Sequence, residues 1–259
     1  MPAPDTDAPR NGPDDALAEV RVALVQARDT AEMEAQEQTC FAERCRLHPE
    51  QLRCANLARE PLPDAFLEGA DALMIGGAGA YSAMDDPDWM PGLLALMREA
   101  AERGLPTFGS CWGHQVLARA FGGTLVHDSA RAELGCCPIR LTEAGQRDPL
   151  FADCPARFEA NAGHHDRVTR LPPGAVELAF NDSQRFQAFR MEDAPVYGTQ
   201  FHSELSAERE RERLIAYRDH YRADLPDPED FQAVLAGLVD TGAADALLHQ
   251  FLCRFVVAA

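Results

Sequence analysis

The stretch from Leu105 to Gly123, L-P-T-F-G-S-C-W-G-H-Q-V-L-A-R-A-F-G-G, constrains the fold of this chain more than any other. Its apolar start predicts a buried strand, and its breaker-free second half, closed by two glycines, predicts a helix. Between them, Gly109 and Gly113 bracket Cys111 in the pattern G-x-C-x-G. This context is typical of a nucleophile elbow, a turn too sharp for side chains two residues before and after the nucleophile. The helix N-terminus behind Cys111 favours a thiolate, so we predict a catalytic cysteine rather than a buried structural one.

The fold class follows from the alternation of short apolar runs with breaker-free polar segments before this stretch. The run at 72–75 is continuous and apolar, as in strands buried on both faces of a parallel sheet. We therefore predict an α/β fold for residues 20–205, an open, mostly parallel sheet with helices on both faces. Later short runs, separated by Gly, Pro and Asp turns, predict an antiparallel section added to the sheet. Strands are predicted at 20–26, 52–57, 72–75, 105–108, 124–127, 136–141, 157–161, 175–181, 185–191 and 196–201. Helices are predicted at 31–46, 87–103, 114–121, 229–239 and 243–257, and a short turn-helix at 61–69.

The two ends of the chain differ from this middle part. Residues 1–19 lack the apolar core of a signal peptide and are predicted to be a disordered leader. Residues 206–259 are predicted to be C-terminal helices, the last of which packs back on the α/β domain. The alternating charges that begin this segment are interpreted mostly as a solvated helix face.

Composition excludes several partners and cofactors. The net charge of −18 disfavours nucleic acid and anionic membranes as partners. All 24 basic residues are arginines, so neither a P-loop nor a Schiff-base lysine is present, and no cofactor is expected. The 8 cysteines form no C-x-x-C pair, and we interpret them as reduced thiols of a cytoplasmic protein. No apolar run approaches the length of a membrane span.

Two further segments carry groups that could act with Cys111. The loop G-G-A-G-A, residues 76–80, follows a predicted strand. It has three interpretations: a tight turn, a phosphate-binding loop that lacks the usual lysine, or a loop whose N–H groups face the nucleophile. Strand C-termini face the same crevice in an open α/β sheet, which supports the third interpretation. After the strand at 196–201, His202 and Glu204 are two residues apart and can face one pocket, with the carboxylate orienting the imidazole. Metal ligation by His202 with His164 and His165 is not expected, because these histidines lack the spacing of a metal site.

Three motifs together resemble the class I (triad) glutamine amidotransferases, most closely the glutaminase domain of GMP synthase and its stand-alone relatives. G-S-C-W-G-H-Q matches the family's G-x-C-x-G-x-Q, and A-G-H-H-D-R-V resembles S-H-x-D-x-V. G-T-Q-F-H-S-E matches G-x-Q-F-H-P-E, with Ser203 where proline is usual. Ala78 replaces the proline usual in the family's glycine loop. The resemblance covers residues 20–205 and the last helix, and leaves about 208–245 as extra helical material for a lid or a dimer surface.

The resemblance implies a role for each matched position. It implies a flavodoxin-like fold and a thioester mechanism that releases ammonia from the γ-amide of glutamine. Alternatives left open are a stand-alone γ-glutamyl peptidase, a non-catalytic regulatory relative, and an α/β-hydrolase, although the last would have its acid before its histidine. A separate synthetase partner would receive the ammonia, and a homodimer is also left open. The implied residues are Cys111 as nucleophile, His202 as general base and acid, Glu204 as its orienting residue, the N–H groups of Gly77 and Trp112 as oxyanion donors, and Gln115, His164, His165 and Asp166 as substrate-binding residues.

Overall fold

The computed structural model describes residues 14–222, 225 and 227–258. The strands are β1 (Val22–Ala27), β2 (Leu52–Asn56), β3 (Ala72–Ala78), β4 (Thr107–Ser110), β5 (Thr124–His127), β6 (Glu133–Leu141), β7 (Arg157–His164), β8 (Asp166–Arg170), β9 (Ala175–Phe180), β10 (Ala188–Met191) and β11 (Val196–Thr199). The α-helices are α1 (Ala31–Cys45), α2 (Met90–Glu102), α3 (Trp112–Ala120), α4 (Glu143–Arg147), α5 (Ala207–Ala216), α6 (Pro228–Gly237), α7 (Gly242–Asp245) and α8 (Leu247–Leu252). A 3₁₀ turn at Arg218–Tyr221 continues from α5.

One large sheet organises the molecule, with the strand order β2-β1-β3-β4-β11-β10-β9-β6-β7. The first five strands pair in parallel, and each is joined to the next by a crossover connection, as parallel pairing requires. From β11 outward each neighbouring pair is antiparallel. The predicted α/β class and its added antiparallel section are therefore confirmed. A separate ribbon of β5 and β8 lies outside the sheet.

The core has two layers, one on each face of the sheet. Alternate residues of a strand point to opposite faces, so Met74 lies in one cluster and Ile75 in the other. The first cluster also contains buried side chains of α1 and α8, and the second contains those of α2 and α3. The parallel strands are consequently buried on both sides. Their carboxyl ends, where β3, β4 and β11 stop, form one edge.

Several local predictions were wrong. Residues 61–69 form turns instead of a helix, since Ala65 has a φ of 55° and Gly69 a φ of 68°, neither of which is helical. Strand β8 and the short helix α4 were not predicted. Residues 1–13 of the predicted leader lie outside the described residues. The rest of it is ordered: the 3₁₀ turn Asp15–Leu17 places Leu17 in the core with no exposed area. The predicted boundary at residue 205 stays a prediction.

No single helix of the described residues is long and apolar enough to cross a membrane. Pro228–Gly237 and Gly242–Val257 meet that requirement only as a pair, and they are bent by 68° with respect to each other.

Candidate active site

The turn between β4 and α3 has the geometry of a nucleophile elbow. Cys111 caps α3 with a φ of 50° and a ψ of −102°. A Cβ on Gly109 would lie 2.5 Å from the backbone of Gly113, and one on Gly113 would overlap the carbonyl of Ile75 in β3. Both positions therefore require glycine. The Cys111 N–H donates to the Thr199 carbonyl at 2.8 Å, which fixes the turn against β11.

His202 and Glu204 follow β11, the sheet neighbour of β4. Nδ1 of His202 lies 2.8 Å from Oε1 of Glu204, and both side chains are buried. Glu204 also accepts hydrogen bonds from Ser110 Oγ at 2.5 Å and from Arg213 Nη1 at 3.0 Å. The carboxylate is thus held by the elbow strand, by α5 and by the imidazole. Nδ1 of His202 is engaged by Glu204, and the ring lines the same small cavity as Cys111.

The electrostatics of this pair favour a charged imidazole. Burial by itself lowers the pKa of His202, but Glu204, Cys111 and Glu210 together raise that pKa well above its usual value. Burial likewise opposes ionisation of Glu204, yet His202, Arg213 and Ser110 hold its pKa far below the usual range. An imidazolium held beside a cysteine stabilises the thiolate by charge. The structure therefore places a charged imidazole next to the Cys111 side chain.

The glycine loop differs from the predicted arrangement. The N–H of Gly77 donates to Oε1 of Glu37 at 2.7 Å, so in this structure it is not free to bind an oxyanion. Glu37 is fully buried and also pairs with Arg28, whose Nη2 lies 2.7 Å from the same oxygen. The other predicted donor, the N–H of Trp112, belongs to the first turn of α3, where N–H groups have no intrahelical acceptor.

A cavity of about 210 Å³ adjoins Cys111. Of the predicted substrate-binding residues, Gln115, His165 and Asp166 lie on its wall. The side-chain amide of Gln115 donates to the Asp166 carbonyl at 2.6 Å, which ties α3 to β8. The Asp166 carboxylate accepts from Ser82 Oγ at 2.5 Å and lies 2.9 Å from His127 Nδ1. The structure thus gathers these side chains around one space next to the sulfur.

His164 is also at this wall, but its ring faces the antiparallel section. Its Nε2 lies 3.2 Å from Glu133 Oε2, and its Nδ1 lies 3.3 Å from Gln184 Nε2. Both ring nitrogens therefore lie next to side chains of the antiparallel section. The ring of His165, in contrast, stacks on Tyr221, with ring centroids 5.5 Å apart.

Helix α5 contributes side chains that the sequence interpretation missed. Glu210, Arg213 and Leu214 are buried, and Tyr217 and Tyr221 continue the same face over Cys111. The interpretation of this segment as a mostly solvated face was therefore wrong for this side of the helix. Arg213, Leu214 and Tyr217 follow Glu210 by three, four and seven residues. This helical spacing is the sequence signal that could have predicted the buried side of the helix.

Comparisons with known proteins show the family to which this chain is similar. The sequence model of the family described as "Glutamine amidotransferase class-I" matches residues 43–218. A glutamine-hydrolyzing GMP synthase of Thermosipho africanus is 30% identical over 135 residues, which are 52% of this chain and 24% of that protein. One subunit of the glutamine-hydrolyzing GMP synthase of Ignicoccus hospitalis is 34% identical over 158 residues, 61% of this chain and 77% of that protein. The chain thus spans about a quarter of the first relative and most of the second.

A solved structure supports the fold. The crystal structure of a glutamine amidotransferase from Thermotoga maritima superposes with a TM-score of 0.70 at 21% identity. The superposition covers 92% of this chain and 98% of that one. At this identity the likeness concerns the fold, and it extends over the α/β sheet and the helices that follow it.

Proposed function

Because this chain belongs to the class-I glutamine amidotransferase family, we propose that it hydrolyses the side-chain amide of glutamine to glutamate and ammonia. The observation that carries the proposal is the position of Cys111. Its sulfur stands at a strained elbow beside the buried His202–Glu204 pair, with a cavity of about 210 Å³ next to it. Gln115, His165 and Asp166, on the cavity wall, are the residues proposed to bind the amino-acid end of glutamine.

The mechanism follows from the groups at hand. The Cys111 thiolate attacks the amide carbon and forms the C–S bond, while His202 protonates the nitrogen and the C–N bond breaks. A γ-glutamyl thioester then remains on Cys111. Water, deprotonated by His202, hydrolyses it to glutamate. Glu204 keeps the imidazole oriented through both steps.

The oxyanion formed in each step needs N–H donors. The N–H of Trp112, in the first turn of α3, is proposed as one donor. Gly77 can supply a second only after Glu37 withdraws from its N–H. An engaged donor of this kind is consistent with a low basal rate in the isolated chain.

The destination of the ammonia is proposed from the names of the relatives. One of them is named as a single subunit of a GMP synthase, which supports a separate synthetase chain as the partner of this protein. All 8 cysteines are free thiols, which supports the cytoplasm as the proposed compartment. A homodimer also remains a proposal.

Replacement of the nucleophile tests the function. We expect Cys111→Ala to lower glutamate release from glutamine by at least about 10³-fold, because no thioester can form. Mass spectrometry of the quenched wild-type reaction should detect a γ-glutamyl adduct that the variant lacks. Cys136→Ala removes a partly exposed thiol that contacts Glu159, and it should leave turnover unchanged. Undiminished turnover in Cys111→Ala would overturn the assignment.

A further inference from the structure

Glu210 of α5 is a buried carboxylate without a hydrogen-bond partner. Its residue is 1% exposed, and neither oxygen has a donor among the described residues. A buried carboxylate without hydrogen bonds is unfavourable. Arg213, one turn along the same helix, donates instead to Glu204 and Gln36. The side chain of Glu210 is thus available for a ligand that brings N–H groups.

Glu210 faces a second, smaller cavity beside Cys111. This cavity has a volume of about 50 Å³ and is enclosed by α5 and the 3₁₀ turn that follows it. A Cβ placed on Gly163 would lie 3.4 Å from Oε1 of Glu210 and 3.8 Å from Nε2 of His202. The carboxylate and the imidazole therefore flank the same small space. Tyr217 and Tyr221 form its outer wall.

The two cavities meet at Cys111, which lines both of them. Gln115, His165 and Asp166 line only the larger one, whereas His202 and Glu210 line only the smaller one. The proton donor must reach the departing nitrogen. A substrate with its glutamyl part in the larger cavity would therefore direct its departing nitrogen toward the smaller one.

We propose that the smaller cavity is the leaving-group site and that Glu210 is a specificity-determining residue that selects a primary amide. The proposal rests on the proposed function. The carboxylate accepts N–H hydrogen bonds from the amide nitrogen and then from the ammonia produced when His202 protonates that nitrogen. Ammonia resembles water in size, and a water molecule occupies about 30 Å³ in the liquid.

The same features exclude γ-glutamyl peptides. An amino acid as leaving group is far bulkier than ammonia and would crowd the buried side chains of Glu210 and His202. It would also bring its own carboxylate next to Glu210, in a buried space where like charges repel strongly. Its secondary amide, moreover, has one N–H fewer to offer. A site built around a substrate N–H discriminates strongly against analogues that lack it.

The test compares two substrates in three forms of the full chain. Wild type, Glu210→Ala and Glu208→Gln are assayed on glutamine and on γ-glutamylglycine for glutamate release and for the thioester adduct. We expect wild type to prefer glutamine by at least about 100-fold in kcat/KM. Glu210→Ala should reduce this ratio at least about tenfold, through slower glutamine and faster γ-glutamylglycine cleavage. Glu208 is exposed on the same helix, and Glu208→Gln should keep the wild-type ratio.

The other possible outcomes of the substrate comparison would contradict either the role of Glu210 or the proposed function. An unchanged ratio in Glu210→Ala, with glutamine still cleaved, overturns the specificity role and leaves the glutaminase function standing. A wild type that prefers γ-glutamylglycine overturns the specificity role as well. If neither substrate gives turnover or an adduct, the proposed function itself fails and takes this inference with it. Thermal denaturation of Glu210→Ala checks that the variant is folded, and we expect a cooperative transition because Glu210 makes no hydrogen bond to the described residues.

Discussion

Cys111 has a backbone conformation that L-residues rarely adopt. Among the described non-glycine residues, only Arg46 and Ala65 share its positive φ. Such a conformation costs about 1–3 kcal/mol and persists only where its surroundings enforce it. Here the N–H bond to Thr199 and the close approach of the flanking glycines supply that constraint. The strain keeps the sulfur at the boundary between the two cavities.

The His202–Glu204 contact makes a prediction about pH dependence. After burial, which opposes the charge, Glu204 has the largest influence on the pKa of His202 and raises it. A raised pKa keeps the imidazolium present at higher pH, so the alkaline limb of kcat/KM should lie above the usual histidine value of about 6.5. In Glu204→Gln the negative charge that raises the pKa of His202 is lost, so the alkaline limb of kcat/KM should move to lower pH. We also expect kcat/KM to fall by about 100-fold or more, because the imidazole loses its fixed tautomer.

The measurement is a pH–rate profile of glutamine hydrolysis. Glu212→Gln is the control, since Glu212 is exposed on α5 and pairs with Gln36 and Arg209. Its profile should match wild type. An alkaline limb that stays in place in Glu204→Gln would show that Glu204 does not set the protonation of His202.

At the scale of elements, the site is assembled from the carboxyl ends of parallel strands. Gly77 is near the end of β3, Cys111 follows β4, and His202 follows β11. These three strands are consecutive in the sheet. Residues far apart in sequence meet there because parallel strands end at a common edge. Helix α5 then closes this edge from outside.

The elbow requires α3 to approach β3 closely. We therefore predict that alanine substitution affects stability differently at Gly113 and at Gly92. Gly113→Ala would drive a Cβ into the Ile75 carbonyl, so we expect it to lower the free energy of unfolding by at least about 2 kcal/mol. Gly92→Ala makes the same change in α2, where a Cβ meets nothing within 4 Å. It should raise the free energy of unfolding by about 0.5–1 kcal/mol, because alanine favours the helix. Urea denaturation of both variants tests this, and equal effects would contradict the close approach.

The parts of the fold that local pattern dictates could be predicted from the sequence. β3 is a continuous apolar run, and the elbow carries its glycines within five residues of sequence, so both were identified. Gly76 and Gly77 were predicted to lie in a loop but belong to the end of β3. The hydrogen bond of Gly77 to Glu37 could not be predicted, because Glu37 lies 40 residues from Gly77. The buried side of α5 was missed for a related reason. Glu210 and Arg213 are charged, and they are buried because α5 packs over the cavity beside Cys111.

For the whole molecule, the C-terminal helix α8 is part of the core. Leu247, Leu248, Phe251 and Leu252 have no exposed area and belong to the cluster on the α1 face of the sheet. The ring of Phe251 meets that of Phe108 edge to face, with centroids 5.4 Å apart. Phe108 lies in β4, directly before the elbow. The end of the chain therefore supports the strand that carries Cys111.

This arrangement predicts that Phe251→Ala lowers the free energy of unfolding by about 3–5 kcal/mol, the range for removing a buried aromatic ring. Ile215→Ala also shortens a large apolar side chain in the C-terminal part, but Ile215 is 55% exposed. Its effect should stay within about 0.5 kcal/mol. Urea denaturation curves, fitted with a common slope, give both values. Equal stability of the two variants would mean that α8 does not complete the core, and the elbow strand would then need another support.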